Sequence, residues 1–209
     1  MKISILRLIT SMLCFMVSWQ AHASSDIDWI HFKAKFLMQD GRVLDTGNGS
    51  VSHSEGQGYG MLFAVAANDK QSFQRIWNWT KQSLQNPQSQ LFYWKFNPIL
   101  SEPLEDKNNA TDGDILIAWA LLKAGKKWGG TYTEESEQIF QAVMNHTVID
   151  FAGKKVLLPG AHGFRFDDYV YLNPSYFIFP AWKDFYAHTG SAELKALIED
   201  SETLLSKQY

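Results

Sequence analysis

The sequence predicts an all-α protein in which helices come in pairs, an enclosed one followed by an amphipathic one. Two segments, Tyr59 to Ala67 and Ile115 to Ala124, are apolar almost all round, which on a chain with 20% charged residues means helices surrounded by other helices. Each is followed by a segment whose apolar residues recur at helical spacing among polar ones, the pattern of a helix with one wet face. Hydrophobic residues make up 45% of the chain and aromatics 14%, enough to fill the core between such layers.

In chain order, the first helix is capped by Asp26 or Asp28 and runs to about Met38. It carries Trp29, Phe32, Phe36 and Leu37 on one side, and Gln39-Asp40-Gly41 closes it. Val43 to Ser54, rich in Gly, Asn, Ser and Asp, has no helical period and reads as loop. The enclosed helix from Tyr59 follows, then an amphipathic one from Ser72 to Leu84 through Phe73, Ile76, Trp77 and Leu84. Ile115 to Ala124 and Glu134 to Asn145 repeat the pair, the second member amphipathic through Ile139, Phe140, Val143 and Met144. A third pair opens at Asn173-Pro174-Ser175, a cap with a first-turn proline, and comprises Tyr176 to Tyr186, kinked at Pro180, and Glu193 to Leu205. Leu91 to Phe96 and Val156 to Leu158 are candidate short strands. Such pairs build either a layered bundle or a ring of helical hairpins whose inner helices face a central axis, and periodicity does not choose between them.

The 23 N-terminal residues read as a secretory signal peptide and are set apart from the fold. Lys2 and Arg7 precede a ten-residue apolar run, Leu8 to Val17, broken only by Thr10 and Ser11, and Ala21-His22-Ala23 supplies an A-x-A cleavage site. The run is well short of the ~20 residues that span a bilayer. Cleavage after Ala23 leaves 24–209 as a single domain of 186 residues and removes Cys14, the one cysteine. The exported chain is therefore expected to carry no disulfide, thiol nucleophile or Cys metal site, and no membrane segment. Its destination is the periplasm or the medium. The charge balance of 19 basic against 22 acidic residues offers no basic stripe, which argues against a nucleic-acid partner.

Two acidic constellations lie at the mouths of the enclosed helices. Ser54-Glu55-Gly56-Gln57-Gly58-Tyr59-Gly60 places a carboxylate and three glycines before the first, where glycine lets another group approach the backbone. That group is a ligand, or a packed helix, and the carboxylate alternatively complements a helix dipole. The spacing is not that of a nucleotide loop. Asn108-Asn109-Ala110-Thr111-Asp112-Gly113-Asp114 stands before the second; Asn109 or Thr111 can cap, but two acids with Gly113 exceed what capping needs. If both inner helices start on one side of a ring, Glu55 and the Asp112–Asp114 pair converge, and paired carboxylates across a sugar-sized gap are how most glycosidases work. Trp94, Trp119, Tyr59 and Tyr176 are candidates for stacking on pyranose faces, with core packing as the alternative.

Other chemistries find no support. His31, His53, His146, His162 and His188 lack metal-ligand spacing and read as surface or loop residues, so neither a metal nor a cofactor is expected. No G-x-S-x-G elbow is present. Asp167-Asp168 reads as a salt-bridged loop, with a substrate groove as the minor alternative.

The run from Ala110-Thr111-Asp112-Gly113-Asp114 through Ala124, with Trp128 four residues on, resembles the signature of glycoside hydrolase family 8. Ser54 to Met61 is similar to the segment bearing that family's acid. Asn68-Asp69 and Asn173-Pro174-Ser175-Tyr176 resemble the subgroup of periplasmic endoglucanases that accompany bacterial cellulose synthase. The resemblance implies an (α/α)6 barrel and inverting hydrolysis of internal bonds in a β-1,4-glucan, with cellulose synthase as a functional associate. By the same resemblance Glu55 is the proton donor, Asp112 the nucleophile or a carboxylate at the cleavage point, and Asp114 a supporting groove residue. A proton donor must hold its proton near neutral pH, so Glu55 is expected to be buried or set beside another carboxylate such as Asp112.

The family's water-activating aspartate lies in a Ser-Tyr-Asp-like segment that this sequence lacks, and about seven helices are legible where six hairpins need twelve. The expectation is thus the N-terminal part of such an enzyme, an (α/α)6 barrel incomplete at its C-terminus. A catalytically inactive glucan-binding remnant without the general base is the alternative, and an unfolded product with exposed inner helices a third.

Overall fold

The computed structural model describes residues 27–206. The expected signal segment and the Asp26 cap lie outside the described residues. Seven α-helices account for most of the described chain. α1 is described over 27–36, and Asp28 falls within it rather than capping it. Leu37 leaves the helix to form a bridge with Val43. β1 (Ser52–His53) leads directly into α2 (Ser54–Ala66), followed by α3 (Lys70–Leu84), β2 (Lys95–Phe96), α4 (Thr111–Trp128) and α5 (Tyr132–Thr147). β3 (Val148–Phe151) and β4 (Lys154–Leu157) form a hairpin, and α6 (Phe179–Thr189) and α7 (Ala192–Ser206) complete the order.

The three expected pairs are present as hairpins: α2 with α3, α4 with α5, and α6 with α7. α4 lies between α2 and α6, so the inner helices form an arc with α3, α5 and α7 behind it. β1 and β2 pair antiparallel, Ser52 opposite Phe96 and His53 opposite Lys95. The β3–β4 hairpin, of which only the second strand was anticipated, turns through Ala152 and Gly153, both at positive φ, and packs on α7.

Both inner helices start earlier than hydrophobic periodicity indicates. α2 begins at Ser54 and α4 at Thr111, so the acidic constellations are first turns of helices rather than loops before them. Their polarity hid them from the periodic pattern, and tertiary contacts absorb it. Gln57, fully buried in α2, accepts from the Val43 N–H at 2.6 Å and donates to Thr80 Oγ1 of α3 at 2.8 Å. Neither Asn109 nor Thr111 caps α4, since Thr111 Oγ1 donates to the Leu158 carbonyl and Asn109 turns to Asp114 and Ala161. Asn173 does accept from Ser175 N–H, but it opens a 3₁₀ turn at Pro174–Tyr176. α6 starts three residues later with Pro180 in its first turn, where a missing N–H costs nothing, so the expected kink is absent.

Enclosure is complete only for α4, which has an inner helix on each side. α2 leaves Tyr59 and Phe63 42% and 44% exposed, and α6 leaves Tyr186 open, because each stands at an end of the arc. Gly58 and Gly113 serve the helix-packing alternative. A Cβ on Gly58 would stand 2.6 Å from Leu116 Cβ, and one on Gly113 would run into Ser54 Oγ and come within 2.8 Å of the Glu55 nitrogen. Gly56 meets nothing closer than Val43 at 3.9 Å.

Gly113→Ala is therefore expected to lower stability by about 1–3 kcal/mol through overpacking, despite the ~1 kcal/mol that alanine gains in helix propensity. Gly56→Ala is expected to be neutral or stabilising, and thermal unfolding of the two variants checks the contrast.

Candidate active site

The α2–α4 crossing sets the first turns of the two helices side by side. Between them and the chain around Trp94 and Tyr176 lies a pocket of about 240 Å³ lined by His53, Ser54, Glu55, Trp94, Ala110, Asp112 and Tyr176. Of the residues singled out from sequence, Glu55, Asp112, Trp94 and Tyr176 meet here. Tyr59, one helical turn beyond Glu55, stands at the edge; burial and the charges of Glu55 and Asp112 raise its hydroxyl above the usual tyrosine range. Tyr59 also stacks on Phe63 along the exposed face of α2.

Asp112 is 6% exposed and faces Glu55. Its Oδ1 accepts from the Gly113 N–H at 2.8 Å, and Tyr176 lines the same pocket beside it. Burial first, and then the Glu55 charge, push Asp112 up to about 6 against this hydrogen bond. Glu55 itself lies exposed at the pocket mouth. The expected burial is thus found at the other carboxylate of the pair, because the Glu55 side of the pocket is the open end of the arc.

Two of the sequence-derived site residues lie elsewhere. Asp114 is fully buried and does not reach the groove. Its Oδ1 accepts from the Phe92 N–H at 2.8 Å and its Oδ2 from Asn109 Nδ2 at 2.7 Å, while burial pushes the carboxyl up to about 8. Asn109 Oδ1 in turn accepts from the Ala161 N–H at 2.7 Å. Asp114 is therefore a brace for the chain segments around the pocket. Trp119 lies about 10 Å farther along α4 at 1.5 Å per residue, where its Nε1 donates to Asp184 Oδ2 at 2.7 Å. It borders a separate apolar depression with Leu62, Phe63 and Lys126. Spacing along a helix separates it from Asp112, and the apolar run gave no depth coordinate.

Sequence reasoning missed His53, placing it among surface and loop histidines. It stands at the end of β1, two residues before Glu55, with its ring 5.6 Å from that of Trp94 and nearly parallel. Proximity to Glu55 in sequence was the available signal. Among the described residues no group of His, Cys, Asp and Glu is arranged to hold a metal ion, and no helix is long and apolar enough to cross a membrane.

Asp112 binds its proton more tightly in the folded than in the unfolded chain. Its contribution to stability is thus present below about pH 3.8 and is lost as pH rises through about 6. Asp112→Asn is expected to flatten this slope and to be more stable above pH 6 by about 2–3 kcal/mol, read by urea unfolding at several pH values. Asp114→Asn should act oppositely. Asn109 is oriented by the Ala161 N–H, so an amide at 114 either opposes two NH₂ groups or leaves the Phe92 N–H unpaired. A loss of about 1–3 kcal/mol is expected in the same measurement.

Comparison with known proteins adds the family. The model for glycosyl hydrolases family 8 matches residues 1–209. An endoglucanase of Cellulomonas uda is 49% identical over 180 residues, covering 86% of this chain and 50% of that protein. A probable endoglucanase of Novacetimonas hansenii is 45% identical over 179 residues, covering 85% and 52%. Among solved structures, endoglucanase Cel10 of Klebsiella pneumoniae, described as a family 8 glycosyl hydrolase, superposes with a TM-score of 0.84 at 49% identity, covering 85% of this chain and 58% of that one. The endo-beta-1,4-glucanase CMCax of Acetobacter xylinum gives 0.84 at 44% identity, covering 87% and 57%. The chain thus spans about half the length of the relatives it matches. These structural neighbours are (α/α)6 barrels, which selects the ring over the layered bundle for the arc of hairpins seen here. With its signature helix, its three hairpins and its match along the whole sequence, the chain belongs to glycosyl hydrolase family 8.

Proposed function

We propose that these residues form the Glu55- and Asp112-bearing part of an endo-1,4-β-glucanase that cleaves internal β-1,4-glucosidic bonds with inversion. The observation that carries this is the placing of Glu55 and Asp112 in one pocket, on the first turns of two helices in van der Waals contact, with Trp94 and Tyr176 as its aromatic walls. Similarity to an endoglucanase and to an endo-beta-1,4-glucanase supports the same activity.

In this reading Glu55 gives its proton to the glycosidic oxygen as the bond breaks. Its place at the open mouth suits a group that must meet a polymer arriving from solvent. Asp112, held by the Gly113 N–H, lies against the sugar at the cleavage point and balances the positive charge that develops on the ring. Inversion needs a further carboxylate ~6.5–9.5 Å from the acid to activate water. We assign that role to a Ser-Tyr-Asp-type segment, which residues 1–209 do not contain. Export rests on the Leu8 to Val17 run and the Ala21-His22-Ala23 site. The Asn68-Asp69 and Asn173-Pro174-Ser175-Tyr176 resemblances support a place beside cellulose synthesis.

The test is hydrolysis of carboxymethylcellulose, with reducing ends counted and the product anomer followed by NMR. Residues 1–209 alone are expected to bind cello-oligosaccharides with little or no cleavage. In a chain of the relatives' full length, Glu55→Gln is expected to lower kcat by at least about 100-fold, the worth of a general acid. Full turnover by residues 1–209, or an unchanged kcat in Glu55→Gln, would overturn the assignment.

A further inference from the structure

One side chain of the pocket has no part in the chemistry above. His53 ends β1, opposite Lys95 of β2, and its imidazole lies against the Trp94 indole with centroids 5.6 Å apart and planes 9° from parallel. Trp94 is held from other directions as well. Its Nε1 donates to Asp106 Oδ2 at 2.8 Å, its N–H donates to the Asn108 carbonyl at 3.1 Å, and its carbonyl accepts from the Ser54 N–H at 3.0 Å. The backbone and one edge of the indole are thus tied, and Lys95 Nζ lies 5.5 Å from the ring centroid. The imidazole adds a flat neighbour in parallel contact with the ring, which resists tilting of the indole as an aliphatic side chain would not.

We propose that His53 is a positioning residue that holds the Trp94 indole in the plane required to stack a pyranose ring in the Glu55–Asp112 pocket. The inference rests on the glucan reading of this pocket and gives it a determinant of substrate binding.

The charges around the imidazole make the arrangement observable. His53 Nδ1 is 3.7 Å from Asp45 Oδ2, and Lys95 and Glu55 also face the ring. Asp112 stands in the same pocket, and Asp106 holds the indole edge. Burial is the strongest influence and, with Lys95, lowers the imidazole below its ordinary value of 6.5 against Asp45 and Glu55. The neutral ring therefore stacks on Trp94 at neutral pH, and acid converts the stack into a cation–π contact on the same indole. Trp94 must sense that proton.

The experiment has two arms. In the first, the chain is labelled with 5-fluorotryptophan, the Trp94 signal is assigned by its loss in Trp94→Phe, and its 19F shift is followed with pH in the absence of sugar. In an Asp106→Asn background, which removes the carboxylate at the indole edge, a step with a midpoint below 6.5 is expected with His53 in place and with Asp112→Asn added, and none with His53→Phe added. In the second, cellopentaose binding is measured by calorimetry. Trp94→Ala and His53→Ala are each expected to weaken it roughly three- to tenfold, the worth of one aromatic pair, with the double variant no weaker than the weaker single. His53→Phe, which keeps a flat partner, is expected to restore binding to within about twofold. A merely structural histidine would lower stability without this non-additivity or rescue. Additive losses, an absent 19F step or a failed rescue would each overturn the inference. Weakened binding in Trp94→Ala with none in His53→Ala removes this inference alone, whereas no effect of Trp94→Ala removes the glucan reading of the pocket with it.

Discussion

The close crossing of α2 and α4 is the contact on which the rest of the structure depends. It is made where Gly58 meets Leu116 and where Gly113 meets Ser54, and any side chain at either glycine would hold the helices apart. Glu55 follows Ser54 and Asp112 precedes Gly113, so the contact that seals the helices also aligns the two carboxylates. The same contact removes water from Asp112, and that burial, with the Glu55 charge, favours its protonated form near pH 6. Packing, geometry and electrostatics of the pocket thus share one cause.

The first turn of α4 extends this control to the surrounding loops. Thr111 reaches the Leu158 carbonyl, and Asp114 holds Phe92 and Asn109. Asn109 passes the restraint on to Ala161, and Asn108 to the His162 carbonyl. The segment carrying Trp94 and the one leading to Tyr176 are therefore fastened to a single helical turn. A buried carboxylate that never meets a ligand can matter to the pocket as much as one that does, since an unsatisfied Phe92 N–H would free the segment before Trp94.

The arc explains why the inner helices differ. α4 has α2 and α6 as neighbours and buries nearly every residue through Ala124, while α2 and α6 have one inner neighbour each. Tyr59 and Phe63 are exposed for that reason, not because their sequence is less apolar. In a closed ring of the family each inner helix has a neighbour on both sides, and the open face of α2 adjoins the mouth of the pocket where Glu55 stands.

By itself the sequence determined the helical class and the pairing of enclosed with amphipathic segments, and it singled out Glu55, Asp112, Trp94 and Tyr176 as candidates, which the structure brings to one pocket. Apolar spacing and acidic residues beside glycine are local signals, and local signals survive without coordinates. Tertiary structure alone decided that Asp114 faces inward as a brace, that Trp119 lies two helical turns beyond Asp112, that His53 backs Trp94, and that Gly58 and Gly113 serve helix contact. Each of these depends on which residue from a distant part of the chain arrives opposite: Phe92 for Asp114, Asp184 for Trp119, Leu116 for Gly58. The physical reason is that burial and hydrogen-bond partnership belong to pairs of residues, and a linear pattern records only one member of each pair.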